Sequence, residues 1–213
     1  MKRRGAIIEI KLTDRDYFIM RELYRWRFLL GRHVKSLCGF SGQRACDRRL
    51  RALALAGYVS KKKYLYGFPS LYQITRAGIR LIGKSSPVDS IRLEHIAHDI
   101  TLLDVLIYIK ELYQLPGIAI LSEKELHIRD GFANRKHQPD FSFTHREKTY
   151  AVEVELSLKS RSRIEENVKT NFLDYDYQLW FVEKQNKISR ILGDYTSRYE
   201  GLSILYLEEV LKE

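Results

Sequence analysis

Cysteine is scarce in this chain, and long apolar runs are missing. The only two cysteines are Cys38 and Cys46. Two thiols cannot staple a small secreted scaffold, and their spacing matches no zinc site. Both fall inside helical patterns, so they read as reduced core thiols of a cytoplasmic protein. No stretch reaches the roughly 18 apolar residues that a membrane-spanning helix needs. The start, Met1-Lys-Arg-Arg-Gly5, is basic but lacks the apolar segment of a signal peptide. Acid is scarce in the first part of the chain. Residues 1–86 carry 20 Lys and Arg against five acids (Glu9, Asp14, Asp16, Glu22 and Asp47), an excess of 15 positive charges. The rest of the chain is net −5, within a total of +10 over 213 residues. A segment this basic calls for a polyanionic partner, most often nucleic acid. The second part must do something else.

What is present in residues 1–86 reads as helices followed by a basic hairpin. Thr13 is a good N-cap, and Asp14 and Asp16 suit the positive end of a helix dipole. Phe18, Ile19, Leu23 and Trp26 recur at helical spacing. A short helix is expected over 29–38, stopped by Gly39. A third, capped by Ser41, runs to about Ala56 before Gly57. Along it Leu50, Leu53 and Ala54 face inward with Cys46. Gln43, Arg44, Asp47, Arg48 and Arg51 fall on the other side. A strand over 58–66 carries Lys61, Lys62 and Lys63, Gly67-Phe-Pro69 turns the chain, and 70–74 returns. Thr75 caps a last helix over 76–82.

Residues 87–213 read as an α/β segment. A long helix over 91–113 has a wide apolar face and ends at Pro116-Gly117. Strands are expected over 118–122, 140–144 and 148–156. A helix over 162–173, a strand over 178–182, a helix over 187–199, a short strand over 202–206 and a final helix follow. Glu153 and Glu155 alternate with Val152, Val154 and Leu156, so both carboxylates point to one side of a strand. Asp140 opens the preceding strand. Converging carboxylates suit Mg²⁺ or Mn²⁺, which prefer oxygen ligands and can activate water against a phosphodiester. An ordinary half-exposed strand shows the same alternation, so both readings stand. Lys159 can reach back toward the glutamates. His95, His98 and Asp99 lie on the long helix, where His98 can support the site. His137 stands near its mouth.

Two resemblances organise these observations. "Leu50-Arg-Ala-Leu53", then "Gly57-Tyr-Val59", a basic hairpin, and "Tyr72-Gln-Ile-Thr-Arg-Ala-Gly78" resemble bacterial winged helix-turn-helix proteins. That likeness implies a third helix in the DNA major groove. Gln43, Arg44, Arg48 and Arg51 would lie along it, Gln43, Arg44 and Arg48 reaching base edges, and Lys61, Lys62 and Lys63 would touch phosphates. Pro139-Asp140 and Glu153-Val-Glu155, in the order helix, three strands, helix, strand, resemble the PD-(D/E)xK nuclease core. Glu155 stands where that pattern usually has lysine. The catalytic set implied is Asp140, Glu153 and Glu155 with Lys159 as a further candidate, the metal-binding set is the same three carboxylates, and His98 and His137 are supporting groups. The whole chain, with His137-Gln-Pro-Asp140 and Val152-Glu-Val-Glu-Leu-Ser-Leu-Lys-Ser160, resembles the replication-relaxation family of plasmids and other mobile elements.

The expected architecture is a two-domain α+β and α/β protein. Residues 1–86 form a winged helix-turn-helix, and 87–213 form a PD-(D/E)xK nuclease-like αβββαβ core. The expected partner is double-stranded DNA, with a homodimer or a replication or mobilisation protein as the further one and no membrane. The expected function is DNA binding in replication, mobilisation or their regulation. The alternatives are a metal-dependent endonuclease and a repressor that senses a ligand.

Overall fold

The computed structural model describes residues 10–64, 66–88, 90–115, 119–131, 136–157, 159–184 and 186–211. The chain is a mixed α and β protein that divides into two compact units, Met1–Ile96 and Ala97–Glu213. Among the described residues no helix is long and apolar enough to cross a membrane.

Unit 1 builds its core from helices packed on a small antiparallel sheet. Helix α1 (Asp14–Arg25) follows Thr13 and buries Ile19, Met20 and Leu23. Strand β1 (Leu29–Leu30) leads into α2 (Gly31–Leu37). Helix α3 (Gln43–Leu55) turns Cys46, Leu50 and Leu53 inward. Gly57 ends it with a φ of 79°, which glycine adopts without Cβ strain. The Tyr58 N–H then bonds back to the Leu53 carbonyl at 3.0 Å, closing the helix end. Strand β2 (Val59–Lys62) pairs with β3 (Leu71–Ile74), and β1 lies on the other edge of β3. Helix α4 (Arg76–Leu81) is capped by the Thr75 hydroxyl, which accepts from the Gly78 N–H at 3.2 Å. A Cβ on Gly78 would stand 2.5 Å from the Tyr58 carbonyl oxygen, so only glycine lets α4 approach this closely.

Unit 2 is a five-stranded mixed sheet with helices on both faces. Helix α5 spans Ile96–Leu112, after a 3₁₀ turn over Leu93–His95. Then come β4 (Ile120–Ser122), α6 (Glu123–Asp130), β5 (Phe141–His145) and β6 (Lys148–Glu155). Helix α7 (Arg161–Asp174), β7 (Tyr177–Val182), α8 (Lys187–Thr196), β8 (Leu202–Tyr206) and α9 (Leu207–Val210) complete it. The strand order is β4-β5-β6-β7-β8. The β4-β5 and β5-β6 pairs are antiparallel, while β6-β7 and β7-β8 are parallel and crossed by α7 and α8. Tyr108 of α5 and Tyr113 just beyond its end meet Phe181, Phe143 and Tyr150 on one face. The other face carries Trp180 and Val182 against Ile164, Val168, Ile188 and Leu192 of α7 and α8. Glu153 pairs in register with Trp180 and Glu155 with Val182, so both glutamates belong to this second face. They are only 3% and 2% exposed.

Several boundaries differ from the sequence expectation, each for a local reason. Leu29 and Leu30 pair with Tyr72 and Leu71 as a strand instead of opening a helix. Gly42, not Ser41, is the N-cap of α3. The strand expected over 58–66 is shorter, so Lys63 lies beyond β2. Helix α6 was not foreseen, although its signal is present in Ser122-Glu-Lys-Glu125. The Ser122 N–H and hydroxyl both donate to the Glu125 carboxylate, at 2.9 and 2.8 Å, which is a capping box. Pro116, Gly117 and Ile118, read as a helix end and the start of a strand, lie outside the described residues.

Candidate functional site

In unit 1 the outward side of α3 is a polar row. Gln43, Arg44, Asp47, Arg48 and Arg51 are all exposed, at spacings that keep them on one side of a 3.6-residue helix. The Gln43 amide donates to the Asp47 carboxylate at 2.8 Å. Lys61, Lys62 and Lys63 are exposed on the β2–β3 hairpin. The Lys61 ammonium lies 5.7 Å from the Tyr72 ring centre, and that of Lys63 lies 5.3 Å from Tyr66. Each ammonium lies over the face of its ring, a cation–π contact at an exposed position. Arg48 also lines an open groove of about 600 Å³ with Thr13, Asp14, Arg15, Phe40, Ala45, Arg49 and Ala52. The Arg15 guanidinium lies 4.7 Å from the Phe40 ring centre. Cys46 is fully buried, and burial followed by the nearby Asp47 charge pushes its thiol up to about 11. It is a core thiol rather than a nucleophile.

Arg49 belongs to the same helix but has an internal job. Its guanidinium Nε donates to Asp16 Oδ1 at 2.6 Å, and a second guanidinium nitrogen pairs with Asp16 Oδ2. Asp16 is fully buried and also accepts the Thr13 N–H and hydroxyl at 2.7 and 2.8 Å. Burial alone would raise this carboxyl, but Arg49 and Thr13 outweigh it and hold Asp16 below its usual range. The aspartate expected to serve the helix dipole therefore ties α1 to α3.

In unit 2 the sequence-predicted residues meet around the end of β6. His137 Nε2 lies 2.5 Å from Glu153 Oε1, and the Asn171 amide donates to the same oxygen at 2.8 Å. The Lys159 ammonium pairs with Glu155 Oε2. Asp140 stands just before β5. Its carboxylate accepts the Val154 N–H at 2.7 Å, and the His98 ring bonds the Val154 carbonyl at 2.9 Å. Two side chains thus continue the ladder of β6 past the first residue of β5. His98 Nε2 is 3.6 Å from Asp140 Oδ2, and its Nδ1 is 3.6 Å from Asp99 Oδ1.

The electrostatics follow from burial. Desolvation opposes a charged His98, but the carboxylates of Asp140 and Asp99 outweigh it and raise the ring to about 10. His137 is raised in the same way, burial being overcome by Glu153. Burial pushes Glu153 up, and the Asp140 charge adds to this, against the opposing bonds from His137 and Asn171. Asn171 was not singled out from the sequence. Its signal was a polar residue in the inward stripe Ile164, Asn167, Val168, Asn171, at helical spacing. Its Oδ1 is buried with no hydrogen-bond partner among the described residues.

The donor set, carboxylates beside imidazoles, has the chemistry for a divalent ion. Each carboxylate is engaged by its own internal donor. Among the described residues no group of three His, Cys, Asp or Glu side chains is arranged to hold a metal ion. His95 lies in the 3₁₀ turn of unit 1.

Comparison with protein-family models, with curated proteins and with solved structures gives no match to this chain.

Proposed function

We propose that the chain is a DNA-binding protein of a plasmid, phage or other mobile element, acting in replication, mobilisation or their regulation. In this reading unit 1 is a winged helix-turn-helix, with α3 in the major groove and the β2–β3 hairpin as the wing. The observation that carries the reading is the exposed row of Gln43, Arg44, Arg48 and Arg51 together with an exposed lysine hairpin in the same unit. Arginine pairs with guanine O6 and N7, glutamine with adenine, and lysine with phosphate. The resemblance to the replication-relaxation family supports the mobile-element setting. Unit 2 is then a nuclease-like scaffold for contacts with a partner protein or a second copy.

Salt titration of duplex binding tests this. Log affinity falls with log salt by about 0.9 for each phosphate neutralised. Lys61→Ala, Lys62→Ala and Lys63→Ala combined are expected to flatten that slope by about 2 to 3 and to weaken binding to every sequence alike. An unchanged slope would remove the hairpin from the interface.

Base reading makes a different prediction. Arg44→Ala or Arg48→Ala is expected to cost about 1–3 kcal/mol on a duplex selected from a random pool, and less on random DNA. Equal losses on both duplexes would demote the two arginines to backbone contacts.

One observation favours a second reading, metal-dependent cleavage by unit 2. Lys159 reaches Glu155, so a lysine does stand beside the carboxylates. Supercoiled plasmid incubated with the protein and Mg²⁺ or Mn²⁺ distinguishes the two. Nicking that Asp140→Asn abolishes would favour cleavage.

A further inference from the structure

A carboxylate is out of place on a face built only to hold a polyanion. Asp47 stands on the outward side of α3 among Arg44, Arg48 and Arg51, and it is exposed. Near a phosphate it is repulsive. It is also not loose, because the Gln43 amide donates to its Oδ1 at 2.8 Å. Both side chains lie against Gly31 at the start of α2. A Cβ there would come within 3.1 Å of Gln43 Nε2 and 3.5 Å of Asp47 Oδ1. The pair forms one wall of an open pocket of about 260 Å³. Leu30, Pro69 and Tyr72 supply its apolar surface, and Arg32, Lys61 and Ser70 its polar rim.

The wall has a definite chemistry. With one Gln43 N–H committed to Asp47 Oδ1, the wall keeps the second Gln43 N–H as a donor, but the charged carboxylate and the Gln43 carbonyl oxygen beside it are acceptors. Acceptors at this point favour a partner that carries N–H donors. In the major groove those donors are the exocyclic amino groups, cytosine N4 and adenine N6. Guanine O6 and thymine O4 are acceptors themselves and would meet the carboxylate lone pair to lone pair.

We propose that Asp47, held in place by Gln43, is a specificity-determining residue that selects a base presenting its exocyclic amino group to the carboxylate and penalises a base presenting a carbonyl oxygen there. The inference rests on the DNA-binding reading of unit 1 and deepens it. The arginines and lysines supply attraction that any duplex satisfies. Asp47 subtracts from that attraction unless a donor meets it, and discrimination arises from the difference.

Site selection from a random-duplex pool tests it, using the full-length chain and Asp47→Ala, with affinities measured on the selected and random duplexes. The wild type is expected to fix cytosine or adenine at one position, and which of the two emerges identifies the amino group read. Asp47→Ala is expected to lose that preference, about tenfold in the ratio of selected to random affinity, while binding random duplex at least as tightly as the wild type. Gly31→Ala, which crowds the Gln43 amide without changing charge, is expected to weaken the preference at the same position. Full preference retained in Asp47→Ala overturns the proposal. So does equal weakening on both duplexes with a lowered melting temperature, which would make Asp47 structural. No binding of the wild type to random duplex at low salt would instead overturn the DNA-binding reading itself, and the proposal with it.

Discussion

Arg49→Ala is expected to lower stability by about 3 kcal/mol, the usual scale for stranding one partner of a buried ion pair. Against a typical domain stability of about 5–15 kcal/mol, this is a large share. Asp16 is fully buried, and both of its oxygens depend on Arg49. Without the guanidinium, the carboxylate keeps only the two Thr13 bonds. The buried charge must then be tolerated or protonated, and α1 loses its tie to α3. Urea unfolding of the full chain measures the loss. The pair Asp16→Asn with Arg49→Met is expected to recover part of it, since removing both charges removes the desolvation cost. The pH dependence has a definite sign. The folded carboxyl lies below its unfolded value of about 3.9, so its contribution is complete above that value. It is lost as pH falls further, and Arg49→Ala is expected to shrink this acid-side loss. A neutral Arg49→Ala would mean that water solvates Asp16 through an opened surface.

Asp140→Asn is expected to remove about 3 kcal/mol at neutral pH and to flatten the alkaline side of the stability profile. The His98 ring sits at about 10 in the folded protein, held there by Asp140 and Asp99, against about 6.5 when unfolded. A raised histidine stabilises fully below its unfolded value and loses that stabilisation as pH rises through the folded value. The decline should therefore run from about pH 6.5 to about pH 10. Asparagine keeps an oxygen for the Val154 N–H, so the variant removes the charge and spares the strand ladder. His137 and Glu153 are both raised, and both act in the same direction, so some alkaline decline should survive in the variant. Melting temperatures of both proteins across this range measure the effect. Parallel curves would show that His98 is neutral in the folded state.

The outward row of α3 and the alternation of β6 were legible in the sequence because each is a local periodicity. Gln43, Arg44, Arg48 and Arg51 stand on one side of a helix by its 3.6-residue repeat, with Leu50 and Leu53 opposite. Glu153 and Glu155 share a face by the two-residue repeat of a strand. Helix α6 carries its signal in Ser122 and Glu125, but it is short and lies between two strands.

The distribution of charge, the helical and strand periodicities and the caps are properties of neighbours along the chain and can be read from residue order. Which charges are used internally depends on the three-dimensional fold. Arg49 looks like its neighbour Arg48 in sequence, yet it reaches across 33 residues to Asp16. Asp140 and His98, 42 positions apart, come together at Val154 because β5 begins only at Phe141 and leaves the Val154 N–H and carbonyl to these two side chains. His137 and Asn171 close on Glu153 from opposite sides of β6 in sequence. Periodicity says which side of an element a residue occupies. It says nothing of which element covers that side, and a buried charge is decided by what covers it.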